Sequence, residues 1–533
     1  MFFSSIKLGK YIFFYIFEVR YRNIENIVLL SNNLNKTNMT LQLLDWIVII
    51  IFFLIMVVIG IWAHYKNKDS GDYFTAGGNL PWWLSGISHH VSGYSGAVFV
   101  AYAGLAYTHG FSIYVWWALT VGISILATVN IFPVRWVRLR KKIGIQSPLE
   151  YLSIRYGVKT QQVIAWSGVV LKLFDVAAKW AAIAILLKVF TGIPILYGVL
   201  FSGGISIVYI TIGGLWAVTV SDFIQFIVQI GAGIVMFFAA TSRLGGLDSV
   251  FTIWDQLPAK NSEPFAGPYT VGFALAFLFI NTLSYNGGTW NLATKYISSP
   301  NELNTKRAAI LSGVLYLIWP LILFFPMWAA PILLPNLENP TESYGLLTIT
   351  LLPKGMIGLV LASMFATTMS MTSSDANTIS AVITRDILPL HFKKFKVSNS
   401  VNPLVIARKV TFIFIFFTIL IATQYESFGG ILGLIVAWFA ALVGPIAVPM
   451  LLGMLPLFQK SGSTAALVSI FGGLTSFALI KIFSFSFPFA LEISLPLIVS
   501  AFLYILFGFI NRKTIVSREV LELLESINKK SDN

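Results

Sequence analysis

Cysteine is absent from this chain of 533 residues. Disulfides, thiolate metal sites and a Cys nucleophile are therefore excluded. Charge is scarce as well: Asp, Glu, Lys and Arg make up 11%, where soluble domains carry about a quarter. Histidine is limited to His64, His89, His90, His109 and His391, a thin supply for haem or a catalytic metal cluster. No GxxxxGK[ST] loop occurs, which argues against an ATP-driven pump. What fills the chain instead is apolar. The apolar share is 57%, roughly 300 residues, enough for about thirteen spans of ~20 residues each. A water-soluble domain of this length could not hide so much apolar surface, so the implied solvent is lipid.

Apolar runs fall at about 43–63, 81–106, 112–133, 163–190, 194–212, 216–240, 270–288, 308–336, 355–384, 409–423, 428–457, 463–482 and 487–511. They are continuous rather than alternating, so the fold expected is an all-α integral membrane protein with about 13 transmembrane helices. Basic residues gather in alternate loops: Lys66 and Lys68, the Arg135–Lys142 stretch, Lys295 and Arg307, Lys393–Lys396 and Arg408, Lys460, and Arg512 onward. Arg243 and Lys260 lie on the opposite side. The excess marks the cytoplasmic face and predicts N-terminus outside, C-terminus inside, in a plasma membrane, bacterial inner membrane by type. On this reading the net charge of +14 is topology, not a sign of nucleic acid.

Residues 1–38 do not fit. Lys7, Lys10, Arg20 and Arg22 surround a short apolar run, Tyr11–Phe17, yet the topology puts them outside. The expectation is that translation starts at Met39, with an interfacial anchor helix as the alternative. Residues 39–511 then form one transmembrane domain. Residues 512–533 form a cytoplasmic tail with a helical pattern at Val520, Leu521, Leu524 and Ile527.

Two spans are interrupted by flexible polar residues. Ser88-His89-His90-Val91-Ser92-Gly93-Tyr94-Ser95-Gly96 breaks the second, and Asn281-Thr282-Leu283-Ser284-Tyr285-Asn286-Gly287-Gly288-Thr289 ends the seventh. An offset of five spans places them in opposite orientations. That is the mark of an inverted repeat with a solute site at the midplane, because irregular backbone is tolerated there only beside a cavity.

A membrane-embedded carboxylate costs several kcal/mol unless it is partnered, and Asp222 lies in mid-span. The stretch Thr367–Ser374 carries six hydroxyls in eight residues. Ser370, Ser373 and Ser374 share one helical face at i, i+3, i+4. Carboxylate plus hydroxyls is a hard-oxygen set of the kind sodium takes.

Three motifs carry a family resemblance. Phe74-Thr75-Ala76-Gly77-Gly78-Asn79-Leu80-Pro81-Trp82-Trp83 resembles the lead into the first core helix of sodium:solute symporters. Gly213–Gln225 is similar to their GGLxAVxxTDxxQ segment, and Ser373–Asn377 through Thr384-Arg385-Asp386-Ile387 resembles their eighth core helix. The resemblance implies a 5+5 inverted-repeat core over about 81–457, broken first and sixth core helices, one preceding helix and sodium-driven uptake of a small organic solute.

It also implies site residues. One sodium site maps to Asp222, Ser370, Ser373 and Ser374. A second maps to the carbonyls of Val91 and Tyr94 with Thr367, Ser370 and Met371. Met371 stands where a hydroxyl is expected, and a thioether is a poor sodium ligand, so Thr367 or Thr368 compensates or the site is weakened. For the solute, Tyr285 aligns with the gating position of sodium–galactose relatives. Their sugar-contacting Gln, Glu and Lys become Val98, Trp117 and Tyr316, and their Asn becomes Thr282 beside Asn281. A galactose specificity is therefore not carried over. Ser92, Gly93 and Trp290 join the expected solute site.

His89 and His90 sit just before the first break and are candidates for solute binding or proton relay. Lys172, Asp175 and Lys179 share a helix face and are expected to form a structural ion pair. The sequence thus predicts a sodium-coupled symporter, functioning as a monomer with Na+ as coupling ion, no other cofactor and no enzymatic activity. Proton coupling through Asp222 and the His pair, or a non-transporting sensor on the same fold, are the alternatives.

Overall fold

The structure is a computed structural model that describes residues 41–392, 402–428, 443–483, 487–511 and 515–529. The expectations for residues 1–38, including the start at Met39, lie outside the described residues. Within them the chain is helical and no strand occurs. Every apolar run read from the sequence falls on helix, the eleventh being described from residue 443.

Seven described helices are long and apolar enough to cross a membrane, and two further pairs would do so as bent spans. The helices that matter to the site are α1 (Leu43–Lys66), α2 (Trp82–Val91), α3 (Ala103–His109), α4 (Tyr114–Thr128), α5 (Phe132–Ile143), α6 (Glu150–Tyr156), α7 (Val158–Thr191), α8 (Ile195–Arg243), α9 (Val271–Leu283), α10 (Asn291–Ile297), α11 (Glu302–Leu333) and α12 (Met356–Ala381). Behind them come α13 (Pro403–Ala422), α14 (Gly444–Leu452), α15 (Ser463–Ile482), α16 (Phe489–Ile510) and α17 (Arg518–Asn528).

Position in the bundle follows side-chain type. The apolar stretch of α1 is 28% buried and presents Leu54, Val58 and Ile61 outward, as a lipid-facing helix should. That of α12 is 78% buried, which fits its hydroxyl-rich sequence: polar groups at membrane depth need protein partners. Helix α8 packs on both α1 and α12, and α2 packs on α11. The two apolar runs at 194–212 and 216–240 are the two helical segments of α8, parted at Gly214, whose backbone (φ 59, ψ −168) is not helical. A Cβ there would meet the Tyr73 ring at 2.5 Å, so positive φ and close packing both require glycine.

Both expected breaks are present. Helix α2 ends at Val91, and regular winding resumes only at the widened turn Val98–Tyr102 leading into α3. Helix α9 gives way to the widened turn Ser284–Gly288, with Gly287 at φ 114. Trp290 follows at φ 67, a conformation rare for a bulky residue. Its ring packs on Gly168, where a Cβ would lie 1.9 Å from it. Within the tail, α17 is an amphipathic helix that buries Val520, Leu523, Leu524 and Ile527 and packs on α5 and α6.

Candidate functional site

Asp222 is fully buried and is the meeting point of four helices. Its Oδ1 accepts a hydrogen bond from Ser370 Oγ of α12 at 2.6 Å. Its Oδ2 accepts one from Ser88 Oγ of α2 and lies 3.5 Å from Ser92 Oγ and 3.4 Å from Lys295 Nζ of α10. Ser92 Oγ is in turn 2.9 Å from Ser374 Oγ. Ser88 and Ser92 are one turn apart, so both hydroxyls reach the same carboxylate. The network joins α2, at the carbonyl end that favours cations, to α8 and α12. Ser373 stands apart from it: its hydroxyl donates to the Ser370 carbonyl at 3.0 Å.

Lys295 corrects an expectation. The charge pattern sets it in a basic cytoplasmic loop, yet it is fully buried and ion-paired with Asp222. The short helix α10 after the second break folds inward beneath α2, where Ser85 Oγ donates to the Lys295 carbonyl at 2.9 Å.

The carbonyl-based site is less open. The Val91 carbonyl accepts from the Tyr94 amide at 3.0 Å within the break. Thr367 Oγ1 donates to the Met364 carbonyl. Thr368 Oγ1 donates to the same carbonyl and accepts the Gly96 amide at 3.0 Å. Both threonines are thus engaged, and Met371 faces a cavity.

That cavity lies between the two breaks and measures ≈ 50 Å³, room for one or two waters. Of the residues expected for the solute, Ser92, Gly93, Val98, Trp117 and Tyr285 line it. So do Asp175, Lys179, Ser284, Thr289 and Asn291, which sequence reading did not assign to it. Asn291 has no partner for either amide atom among the described residues. Its polar atoms, buried beside a cavity, are the signal for a ligand contact. Asp175 and Lys179 belong to a four-charge cluster. Lys172 bonds Asp175 at 3.1 Å and Asp375 at 2.6 Å, while Lys179 bonds the same two at 2.8 and 2.6 Å. Asp375, adjacent to the hydroxyl run, is therefore held by α7.

The remaining expected residues lie around the cavity without lining it. Tyr316 stacks on Tyr94 and donates to the His90 carbonyl at 2.8 Å. His89 bonds Ser312 Oγ at 2.8 Å and the Tyr285 carbonyl at 3.1 Å, pinning the first break to the second. His90 is caged by Tyr94, Phe226 and Tyr316, with neither ring nitrogen partnered among the described residues. Asn281 donates to Thr120 Oγ1 and Thr282 to Ser124 Oγ, tying α9 to α4. Trp290 is buried against α7.

Comparison with known proteins agrees with this architecture. The profile of the sodium:solute symporter family matches residues 73–473, through both breaks and the Asp222 network. The sodium/sialic acid symporter SiaT of Proteus mirabilis (strain HI4320) is 28% identical over 351 residues, 62% of this chain and 68% of that protein. The sodium/glucose cotransporter of Vibrio parahaemolyticus is 23% identical over 487 residues, 84% and 87% respectively. The fold is that of a Na+-coupled sialic acid symporter solved in a substrate-bound outward-open state. The two share 21% identity and superpose with a TM-score of 0.78 over 89% of this chain and 98% of that one. A family profile that spans three-quarters of the chain and this common fold lead to one conclusion: the chain belongs to the sodium:solute symporter family, transporters rather than enzymes, with Na+ as the coupling ion.

Proposed function

We propose that this symporter carries a hydroxylated ring solute, a sugar, sugar derivative or sugar-like organic acid, and that Asp222 with its serines is a sodium site. The observation that carries the reading is the Asp222 network, in which hydroxyl oxygens of two helices, α2 and α12, surround the buried carboxylate of α8 beside the first break. Asp222, Ser370, Ser374 and Ser92 would hold the ion. Sodium, when bound, supplies positive charge that ties α2 to α8 and α12. Ser373 contributes its backbone turn rather than a free hydroxyl donor.

The solute class rests on the cavity wall and on the relatives. Trp117 and Tyr285 offer aromatic faces, while Ser284, Thr289 and Asn291 offer hydrogen-bonding edges. Sialic acid and glucose, the solutes named for the relatives, are both hydroxylated rings. Val98 and Trp117 make the wall less polar than the alignment with galactose carriers would require, so recognition falls to the α7 and α10 side.

Thirteen crossings, N-terminus outside and C-terminus cytoplasmic, in a bacterial inner membrane and acting as a monomer, complete the proposal. The distribution of Lys and Arg supports the orientation. The solute is identified by a melting-temperature screen of sugars, sugar acids, amino acids and carboxylates, with and without sodium. Stabilisation by a ring solute that needs sodium supports the reading, and stabilisation by amino acids alone refutes the solute class.

A further inference from the structure

Six ionisable side chains are buried around the two breaks: Lys172, Lys179 and Lys295 against Asp175, Asp222 and Asp375. The other buried charged residues among those described, Asp45, Arg155 and Asp386, lie at helix ends. Three positive and three negative charges cancel before any ion arrives. A sodium ion joining Asp222 would leave one uncompensated positive charge in a dry interior, which is strongly disfavoured. Unless the solute itself brings a negative charge, one of the resident cations must yield.

The geometry selects which. Lys172 and Lys179 each hold two carboxylates at 2.6–3.1 Å. Lys295 holds one, at 3.4 Å. Its carboxylate also keeps Ser88 and Ser370 as donors if the ammonium withdraws.

We propose that Lys295 is a tethered cation that competes with sodium for Asp222. It rests on the sodium reading above and adds a coupling device to it. Lys295 lies on α10, directly after the second break, and its ammonium ties that helix to α8. Sodium at Asp222 and the α10–α8 tie are then mutually exclusive, so ion occupancy at the first break is transmitted to the second.

The test uses the purified full chain in detergent. Its unfolding temperature is titrated with NaCl against choline chloride at constant total salt. The wild type shows saturable stabilisation by sodium. Removing a competitor raises the competent fraction, so Lys295→Met should lower the half-saturating sodium concentration by about tenfold. Lys295→Arg, with a fork that grips a carboxylate through two bonds, should raise it by roughly threefold or more. Lys295→Met protein that folds only in sodium would also support the proposal, since Asp222 then lacks any other cation. Half-saturation that is unchanged or higher in Lys295→Met overturns it. If that variant does not fold at all, unchanged or lower half-saturation in Lys295→Arg overturns it. A folded wild type with no sodium response overturns the sodium site itself, a distinguishable result.

Discussion

Ser370 Oγ lies 2.6 Å from Asp222 Oδ1, joining helices 148 positions apart in sequence through one charge-assisted hydrogen bond. The contact is fully buried on both sides. Ser370→Ala removes the donor and leaves a carboxylate oxygen short of a partner, a loss of about 1–3 kcal/mol. The expected outcome is a lower unfolding temperature in sodium-free buffer and weaker sodium stabilisation. Ser373→Ala, whose hydroxyl bonds its own helix, should change the sodium response far less. Equal effects in the two variants would contradict the site as drawn.

Gly93 lies against Tyr316 and Tyr285. A Cβ there would sit 1.8 Å from Tyr316 Oη and 2.9 Å from the Tyr285 ring. Gly93→Ala should therefore abolish uptake while the protein still reaches the membrane. Tyr316→Phe removes the nearest atom, and the double variant should regain part of the activity. Uptake by Gly93→Ala at wild-type rate would show that this approach is not closed during transport.

The four-charge cluster of α7 and α12 is neutral as a unit, so removing one member exposes the others. Lys179→Met should destabilise by about 3–5 kcal/mol. Lys179→Met with Asp175→Asn restores neutrality and should recover much of the loss, giving a coupling well above the error of a double-mutant cycle. Thermal unfolding of the two single variants and the double variant checks this. Additive losses would mean the charges act independently.

Helix α17 is held by apolar burial and by two arginines of α5. Arg138 bridges Glu302 and the Ile527 carbonyl, and Arg135 bonds Asn528. Leu524→Asp places a charge in that interface and should release the helix. Hydrogen exchange is then expected to rise in 518–528 and in 132–143 together. A rise confined to 518–528 would mean α5 does not depend on the contact.

The membrane fold was readable because lipid imposes long apolar runs, and among the described residues every run is helix. Both breaks were readable because two Gly- and Ser-rich stretches stand at matched positions five spans apart; small residues alone also serve helix packing. The ion network was half readable. Asp222 and Ser370 stood out by type and spacing, but Ser88 hid in a helix whose direction relative to α8 no local pattern specifies. Lys295 was misplaced for a related reason: thirty-two residues of apolar helix follow it, so a short inward fold at α10 looks like a loop. Lys172, Asp175 and Lys179 were legible as an ion-pair group on one face, while the contact of both lysines with Asp375 depends on α7 crossing α12, which is tertiary information. Asn291 carried no signal in the sequence. Its orphaned amide beside the cavity is visible only once the break is folded.

Sodium dependence of uptake is the most direct measurement. Proteoliposomes containing the full chain are given the solute picked by the melting screen, under an inward sodium gradient and then with choline in place of sodium at fixed pH. Accumulation above equilibrium in sodium, lost in choline and lost in Asp222→Ala and Ser374→Ala, is the expected result. Uptake that proceeds equally in choline would contradict sodium coupling at Asp222.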